Sequence, residues 1–79
     1  MKAGSIVVAT AGKDRGRQFL VLEVKDGMAY IANGRRRKVQ KPKKKSLKHL
    51  KLIDTSDAIL QGEVTNRILR KTISPKREG

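Results

Sequence analysis

The segment from Gln18 to Val24 constrains this chain more than any other, because almost every residue in it is apolar and favours a β-strand. A strand of alternating character buries one face, whereas a nearly continuous apolar run is covered on both faces. The chain has 79 residues, which is enough for one small domain. A strand buried on much of both faces in so small a domain is typical of a small barrel.

A hairpin is predicted directly after this segment. Lys25, Asp26 and Gly27 supply the turn, in which glycine is free to adopt a positive φ. Met28–Ala32 is the predicted return strand, and Ser5–Ala9, which is short and rich in β-branched residues, is the predicted first strand.

A second hairpin is predicted at Asn33–Gly34, the strongest two-residue hairpin signal in the chain. Arg35–Val39 would then pair back as a fourth strand. Pro42 would end that strand, since proline lacks the N–H group that a strand ladder needs. Leu50–Ile53 is the predicted last strand, closing the barrel.

The pattern changes from strand to helix after residue 54. Ser56 or Asp57 can cap a short helix over residues 58–61, and Thr65 can cap a second helix from Asn66 to about Thr72. The second helix has an apolar stripe that predicts packing on the barrel, formed by Ile68, Leu69 and Ile73. We therefore expect a mostly β fold, with a barrel of about five strands in residues 1–54 and a helical extension with a polar tail in residues 55–79. The alternative is an open antiparallel sheet covered by the C-terminal helices.

Positive charge is concentrated in one quarter of the chain. The protein has 20 Lys and Arg against 7 Asp and Glu, a formal net charge of +13, and residues 35–53 contain ten basic residues and no acidic one. Such a cluster repels itself unless a counter-charge arrives, and a phosphate backbone provides one. The other interpretations are a solvated disordered loop, a nuclear-localisation tract and a surface for anionic membranes. Within the cluster, we expect Lys41–Lys45 to be disordered in the free protein and ordered on RNA.

A second, smaller basic segment joins the first two predicted strands. Gly12 and Gly16 bracket Lys13, Asp14 and Arg15, and Arg17 follows. Glycine permits positive φ and close approach of another backbone, so this loop can present its charges on the rim of a barrel. The plainer interpretation is an ordinary connection with solubilising charges.

This loop and its flanking strands resemble the KOW motif of ribosomal proteins and of transcription elongation factors of the NusG type. The resemblance is carried by Gly4-x-Ile6-Val7-Val8, Gly12–Arg17 and Leu20-Val21-Leu22-x-Val24. Farther along, three short segments are similar to the large-subunit ribosomal proteins of the L-fourteen-e, L-six-e and L-twenty-seven-e group, namely Val24–Gly27, Asn33–Gly34 and Leu47-Lys48-His49-Leu50. The resemblance covers about residues 3–54.

The resemblance implies an SH3-like barrel that binds RNA, and it implies that the glycine-bracketed loop contacts RNA or the ribosome. Together with the basic segment at 35–48, it gives the candidate RNA-binding residues Lys13, Arg15, Gly16, Arg17, Arg35, Arg36, Arg37, Lys38, Lys41, Lys43, Lys44, Lys45 and Lys48. Phe19 and Tyr30, the only aromatic residues, are expected in the core, although an outward-facing ring could stack on a base.

The side chains of enzymes are scarce in this chain. Cysteine is absent, and the single histidine, His49, is expected to be a packed or hydrogen-bonding residue. The acidic residues show no acid/base spacing, the serines have no general base beside them, and Gly12–Gly16 is not a P-loop. We expect no enzyme, no metal and no cofactor.

The sequence therefore predicts a cytoplasmic, monomeric RNA-binding protein, ribosomal or ribosome-associated, with large-subunit ribosomal RNA as its partner and ribosomal proteins as further partners. No membrane partner is expected, because no apolar stretch is long enough to span a bilayer. The alternative is a protein-interaction module of the transcription or translation machinery. Duplex DNA binding by charge alone is a third possibility.

Overall fold

The fold is mostly β, with five antiparallel strands in one sheet and a short C-terminal helix. The computed structural model describes residues 1–56 and 64–73. Along the chain, the elements are β1 (Ser5–Ala9), β2 (Gln18–Lys25), β3 (Met28–Ala32), β4 (Lys43–Ser46), a 3₁₀ helix (Leu47–His49), β5 (Leu50–Thr55) and α1 (Asn66–Thr72). The strand order in the sheet is β4-β3-β2-β1-β5. Among the described residues, no helix is long and apolar enough to cross a membrane.

The connection between the two outer strands shows that the sheet is strongly curved. In a flat sheet of five strands, β4 and β5 would lie about 19 Å apart, because neighbouring strands are spaced by about 4.8 Å. The chain passes from one to the other through Leu47–His49 alone, and three residues of 3₁₀ helix rise only about 6 Å. The two edges of the sheet must therefore approach each other, an arrangement compatible with a small barrel.

The predicted strands in the first third of the chain are confirmed. β1 and β3 have the predicted bounds, and β2 is one residue longer than predicted, ending at Lys25. Asp26 and Gly27 form the turn with φ angles of 52° and 75°. Positive φ at both central residues is typical of the type I′ turn, whose twist matches that of a hairpin. The predicted last strand begins at Leu50 and continues to Thr55.

Apolar side chains on the two faces of the sheet form two separate core clusters. The first cluster lies on one face and comprises Val7, Ala9, Phe19, Val21, Ala29, Ile31 and Leu50. The second lies on the opposite face, where α1 covers the sheet, and comprises Ile6, Leu20, Ala32, Leu69 and Ile73. Phe19 and Leu20 are neighbours in β2 and belong to different clusters. The prediction that this strand is covered on both faces is therefore confirmed.

Helix α1 begins and packs as predicted. The Thr65 hydroxyl accepts a hydrogen bond from the Ile68 amide and so caps the helix. Leu69 and Ile73 are buried against the sheet, whereas Ile68 is only half-buried. A helix of seven residues is too short to be stable alone, so this packing holds it. The earlier helix predicted over 58–61 lies outside the described residues.

The predicted fourth strand is wrong. Arg35–Val39 is not a strand, and β4 is formed by Lys43–Ser46 instead. Asn33 causes the difference, because its side-chain Oδ1 accepts hydrogen bonds from the amides of Arg35 and Arg37 and closes the chain into a compact turn. The amides of Asn33 and Gly34 both donate to the Arg37 carbonyl, which completes the turn. We call residues 33–37 the arginine turn.

Two further expectations about this part of the chain are also wrong. Pro42 does not end a strand but directly precedes one. The segment Lys41–Lys45, expected to be disordered in the free protein, contains three residues of β4. Within the described residues, β4 is an outer strand that pairs with β3 alone. Lysines suit such a strand because their charges oppose pairing with another molecule.

Candidate nucleic-acid interface

The loop between β1 and β2 is a compact extension of their hairpin. At its base, the Gly16 amide donates to the Ala9 carbonyl over 2.8 Å, and the Ala9 amide donates to the Arg17 carbonyl over 3.0 Å. Gly12 and Gly16 both have positive φ, 80° and 87°, which lets the chain reverse direction twice. We call residues 10–17 the glycine loop.

Two lysines of β4 contact the glycine loop, although the two segments are far apart in sequence. Lys43 and Lys45 are two residues apart in a strand, so their side chains point to the same face. The Lys43 ammonium forms an ion pair with the Asp14 carboxylate, and the Lys45 ammonium donates to the Ala11 carbonyl over 2.8 Å. The two basic segments, which are separate in sequence, therefore meet in one region of the surface.

Asp14 is the acidic residue at the centre of this region. The hydrogen bond from Lys43 lowers the pKa of Asp14 below its ordinary value, and the charges of Lys43, Lys45 and Arg37 add to that effect, while partial burial opposes it. The carboxylate is consequently ionised at neutral pH and neutralises one of the surrounding positive charges.

The arginine turn presents its side chains from a fixed backbone. Arg35 and Arg36 are exposed, whereas Arg37 is half-buried. Because the Asn33 side chain and four backbone groups close the turn, its shape does not depend on a bound partner. An exposed guanidinium on a rigid backbone is well suited to bidentate contact with a phosphate.

The candidate RNA-binding residues differ in their exposure to solvent and in their contacts with the rest of the chain. Nine of them are exposed, namely Lys13, Arg15, Gly16, Arg35, Arg36, Lys38, Lys41, Lys44 and Lys48. Four are half-buried, namely Arg17, Arg37, Lys43 and Lys45. Lys43 and Lys45 join the glycine loop to β4. Lys44 points to the opposite face of β4, and Lys48 lies beyond the strand in the 3₁₀ helix.

The two aromatic residues and the histidine differ in how deeply their side chains are buried. Phe19 is buried in the first core cluster, as predicted. Tyr30 is only half-buried, and its partners on the two neighbouring strands are Glu23 and Lys44. His49 is exposed, so its side chain is not packed in the core, and the other form of the expectation, a hydrogen-bonding histidine, stays a prediction. Residues 1–56 and 64–73 contain no group of three or more potential metal ligands.

Sequence reasoning missed the residues that organise the surface. Asp14 was considered only for acid/base chemistry, and neither Asn66 nor Arg70 was considered as a contact to the basic segment. Asn66 accepts from the Val39 amide over 2.8 Å, and the Arg70 guanidinium donates to the Gly34 carbonyl over 2.8 Å. These contacts span 27 and 36 residues, and no local spacing rule could have located them.

The chain matches no protein-family model. It likewise matches no curated protein.

Proposed function

We propose that this protein binds structured RNA, as a ribosomal or ribosome-associated protein of the cytoplasm whose partner is large-subunit ribosomal RNA. The carrying observation is the contact between the glycine loop and β4, in which Lys43 pairs with Asp14 and Lys45 donates to the Ala11 carbonyl. This concentrates positive charge in a single region, and phosphate groups are the natural counter-charge. Release of the cations condensed on the RNA adds to the driving force.

The balance of side chains favours contacts with the RNA backbone over contacts with bases. Phosphate contacts position a protein, and base contacts or stacking give it sequence preference. Phe19 is buried and Tyr30 is half-buried, so neither of the two aromatic side chains offers a fully exposed stacking platform. Folded RNA recognised by its backbone shape fits this surface better than an unpaired strand. The choice of RNA over DNA rests on the KOW resemblance, and the positive φ of Gly16 suits that motif's loop.

The surface divides into contact residues and supporting residues under this proposal. Arg35 and Arg36 reach phosphates directly, and Lys13 and Arg15 do so from the exposed part of the glycine loop. Lys43 and Lys45 act differently, since their ammonium groups already bind the loop and hold it against β4.

Removal of two contact residues tests the proposal. Arg35→Ala combined with Arg36→Ala is expected to weaken binding to large-subunit ribosomal RNA by roughly tenfold or more, because two phosphate contacts are lost. The melting temperature should stay unchanged, since both side chains are exposed. Affinity is measured by fluorescence anisotropy at physiological salt, with duplex DNA as competitor.

The matched control removes two exposed lysines elsewhere, by Lys2→Ala combined with Lys25→Ala. This variant changes net charge by the same amount and should bind RNA nearly as well as the wild type. Equal weakening of RNA affinity in both variants would show that binding depends on total charge and not on the arginine turn. Equal affinity of the wild type for duplex DNA would remove the preference for RNA.

A second candidate function is a protein-interaction module. Its support is β5, an outer strand that presents Leu52 and Ile53 with 49% and 40% of their surface exposed. Exposed apolar side chains on an outer strand suit contact with the surface of a protein partner. Recovery of a protein partner such as RNA polymerase after RNase treatment would favour this candidate. Co-sedimentation with large ribosomal subunits would favour the first.

A further inference from the structure

The Asn66 side chain connects α1 to the chain that follows the arginine turn. Its Oδ1 accepts a hydrogen bond from the Val39 amide, and its Nδ2 donates to Gln40 Oε1, both over 2.8 Å. Asparagine satisfies a donor and an acceptor at once, which a shorter or purely acidic side chain could not do. One end of the segment 34–40 is therefore bound to the first residue of the helix.

The other end of the segment is bound by a second contact. The Arg70 guanidinium donates to the Gly34 carbonyl over 2.8 Å. Gly34 itself lies directly under the helix, because a Cβ atom built there would be 2.3 Å from the Asn66 carbonyl oxygen. The exposed arginines of the turn lie between these two attachment points.

Helix α1 is in turn fixed to the sheet and basic on its outer side. Leu69 and Ile73 are buried in the second core cluster. Arg67, Arg70 and Lys71 are exposed, and the helix contains no acidic residue. A rigid basic helix thus adjoins the basic arginine turn.

We propose that α1 is part of the RNA-binding surface, in which Asn66 and Arg70 hold the arginine turn in its binding shape and Arg67 and Lys71 add phosphate contacts. This inference rests on the proposed function. A turn that is already ordered loses less conformational entropy on binding, so the arginines bind more tightly than the same residues on a loose loop. Asn66 is accordingly a positioning residue, whereas Arg67 and Lys71 are contact residues.

These two roles have different signatures in the salt dependence of RNA binding. Arg67→Ala combined with Lys71→Ala removes two cations, so the slope of log K against log salt should become smaller in magnitude by about 1.5. Asn66→Ala removes no charge. It should weaken binding several-fold at every salt concentration and leave the slope unchanged.

Amide hydrogen exchange provides an independent readout of the positioning role. In Asn66→Ala, the Val39 amide loses its acceptor and should exchange at least roughly tenfold faster. The Val21 amide, in the core of the sheet, should keep its protection. The binding control is again Lys2→Ala combined with Lys25→Ala, which removes two exposed cations that are not part of α1 and should leave more of the salt slope intact than the helix variant does.

Each outcome decides a separate claim. A wild type that binds neither ribosomal RNA nor its fragments overturns the proposed function and this inference with it. A wild type that binds, together with an Arg67→Ala/Lys71→Ala variant that matches the lysine control, overturns the role of the helix alone. If Asn66→Ala fails to fold, the Arg67→Ala/Lys71→Ala variant still decides the point, because both of its side chains are exposed.

Discussion

At the scale of single residues, small groups decide how the basic segments come together. The Asn33 side chain closes a turn where a strand was expected. Asp14 forms an ion pair with Lys43, which connects the glycine loop to β4. Gly34 leaves room for the first residue of α1. None of these residues would contact RNA itself in the proposed complex, yet each determines where the basic side chains lie.

Replacement of Gly34 by alanine should destabilise the fold more than the same change at Gly27. Both glycines have a φ of 75°, so alanine costs roughly 1 kcal/mol of backbone strain at either position. Only at Gly34 does the new Cβ collide with another part of the chain, 2.3 Å from the Asn66 carbonyl oxygen, whereas nothing lies within 4 Å at Gly27. The loss of unfolding free energy, measured by urea denaturation, should be at least about 1 kcal/mol greater for Gly34→Ala. Equal losses would contradict the close approach of helix and turn.

Asp14 should make stability depend on pH in a defined direction. Its pKa is lowered in the folded state by the hydrogen bond from Lys43 and by neighbouring positive charges. The folded protein therefore binds this proton less tightly than the unfolded chain, and the ionised carboxylate stabilises the fold. That contribution is fully present above the ordinary aspartate pKa, about 4, and is lost as the pH falls from there through the lowered pKa.

The variant Asp14→Asn isolates this effect, because every other carboxylate is common to both proteins. The wild type should be the more stable at pH 7, and the difference in unfolding free energy should shrink below about pH 4. Urea titrations at pH 7, 5 and 2.5 measure it. A difference that stays constant across this range would show that the ion pair does not contribute.

At the scale of elements, β4 shows where local sequence information ends. β1, β2 and β3 were predicted because their apolar residues and the Asp26–Gly27 turn carry strong local signals. Lys43–Ser46 has no such signal, since lysine is a poor strand former, and the strand exists because β3 offers a partner. The candidate residues were predicted from their charge and from the KOW resemblance. Their joining through Asp14 and Ala11 depends on contacts between distant parts of the chain.

The packing of α1 on the sheet should be measurable as stability. Leu69→Ala is expected to cost about 2–4 kcal/mol, because Leu69 is fully buried in the second core cluster. Leu52→Ala is the control, since it removes the same atoms from a side chain that is 49% exposed and should cost about 0.5 kcal/mol or less. Urea denaturation of the two variants compares the costs directly. Similar values would show that the helix is only loosely attached.

At the scale of the whole molecule, net charge and fold would act together in the proposed complex. The net charge of +13 would raise the rate of encounter with a polyanion, and the positions of the arginine turn and the glycine loop would decide which phosphates are contacted. The total charge could be calculated from the sequence. The spacing of the contacts depends on the fold.

The number of phosphates neutralised should appear in the salt dependence of RNA binding. If about five phosphates are contacted, the slope of log K against log salt should be roughly −3 to −5. Binding isotherms between 50 and 300 mM KCl, as an approximate range, determine the slope. A flat dependence would rule out an electrostatic mechanism, whatever the affinity at a single salt concentration.

The cover that α1 gives to the second core cluster also limits how far this protein can be shortened. Residues 1–54 were expected to form the barrel, yet that fragment would leave the side chains of Ile6, Leu20 and Ala32 without Leu69 and Ile73 above them. A bare apolar sheet face with an outer strand beside it is a common starting point for aggregation. The helix therefore shields this face from contact with other molecules, and a fragment designed to keep the fold has to extend at least through Ile73.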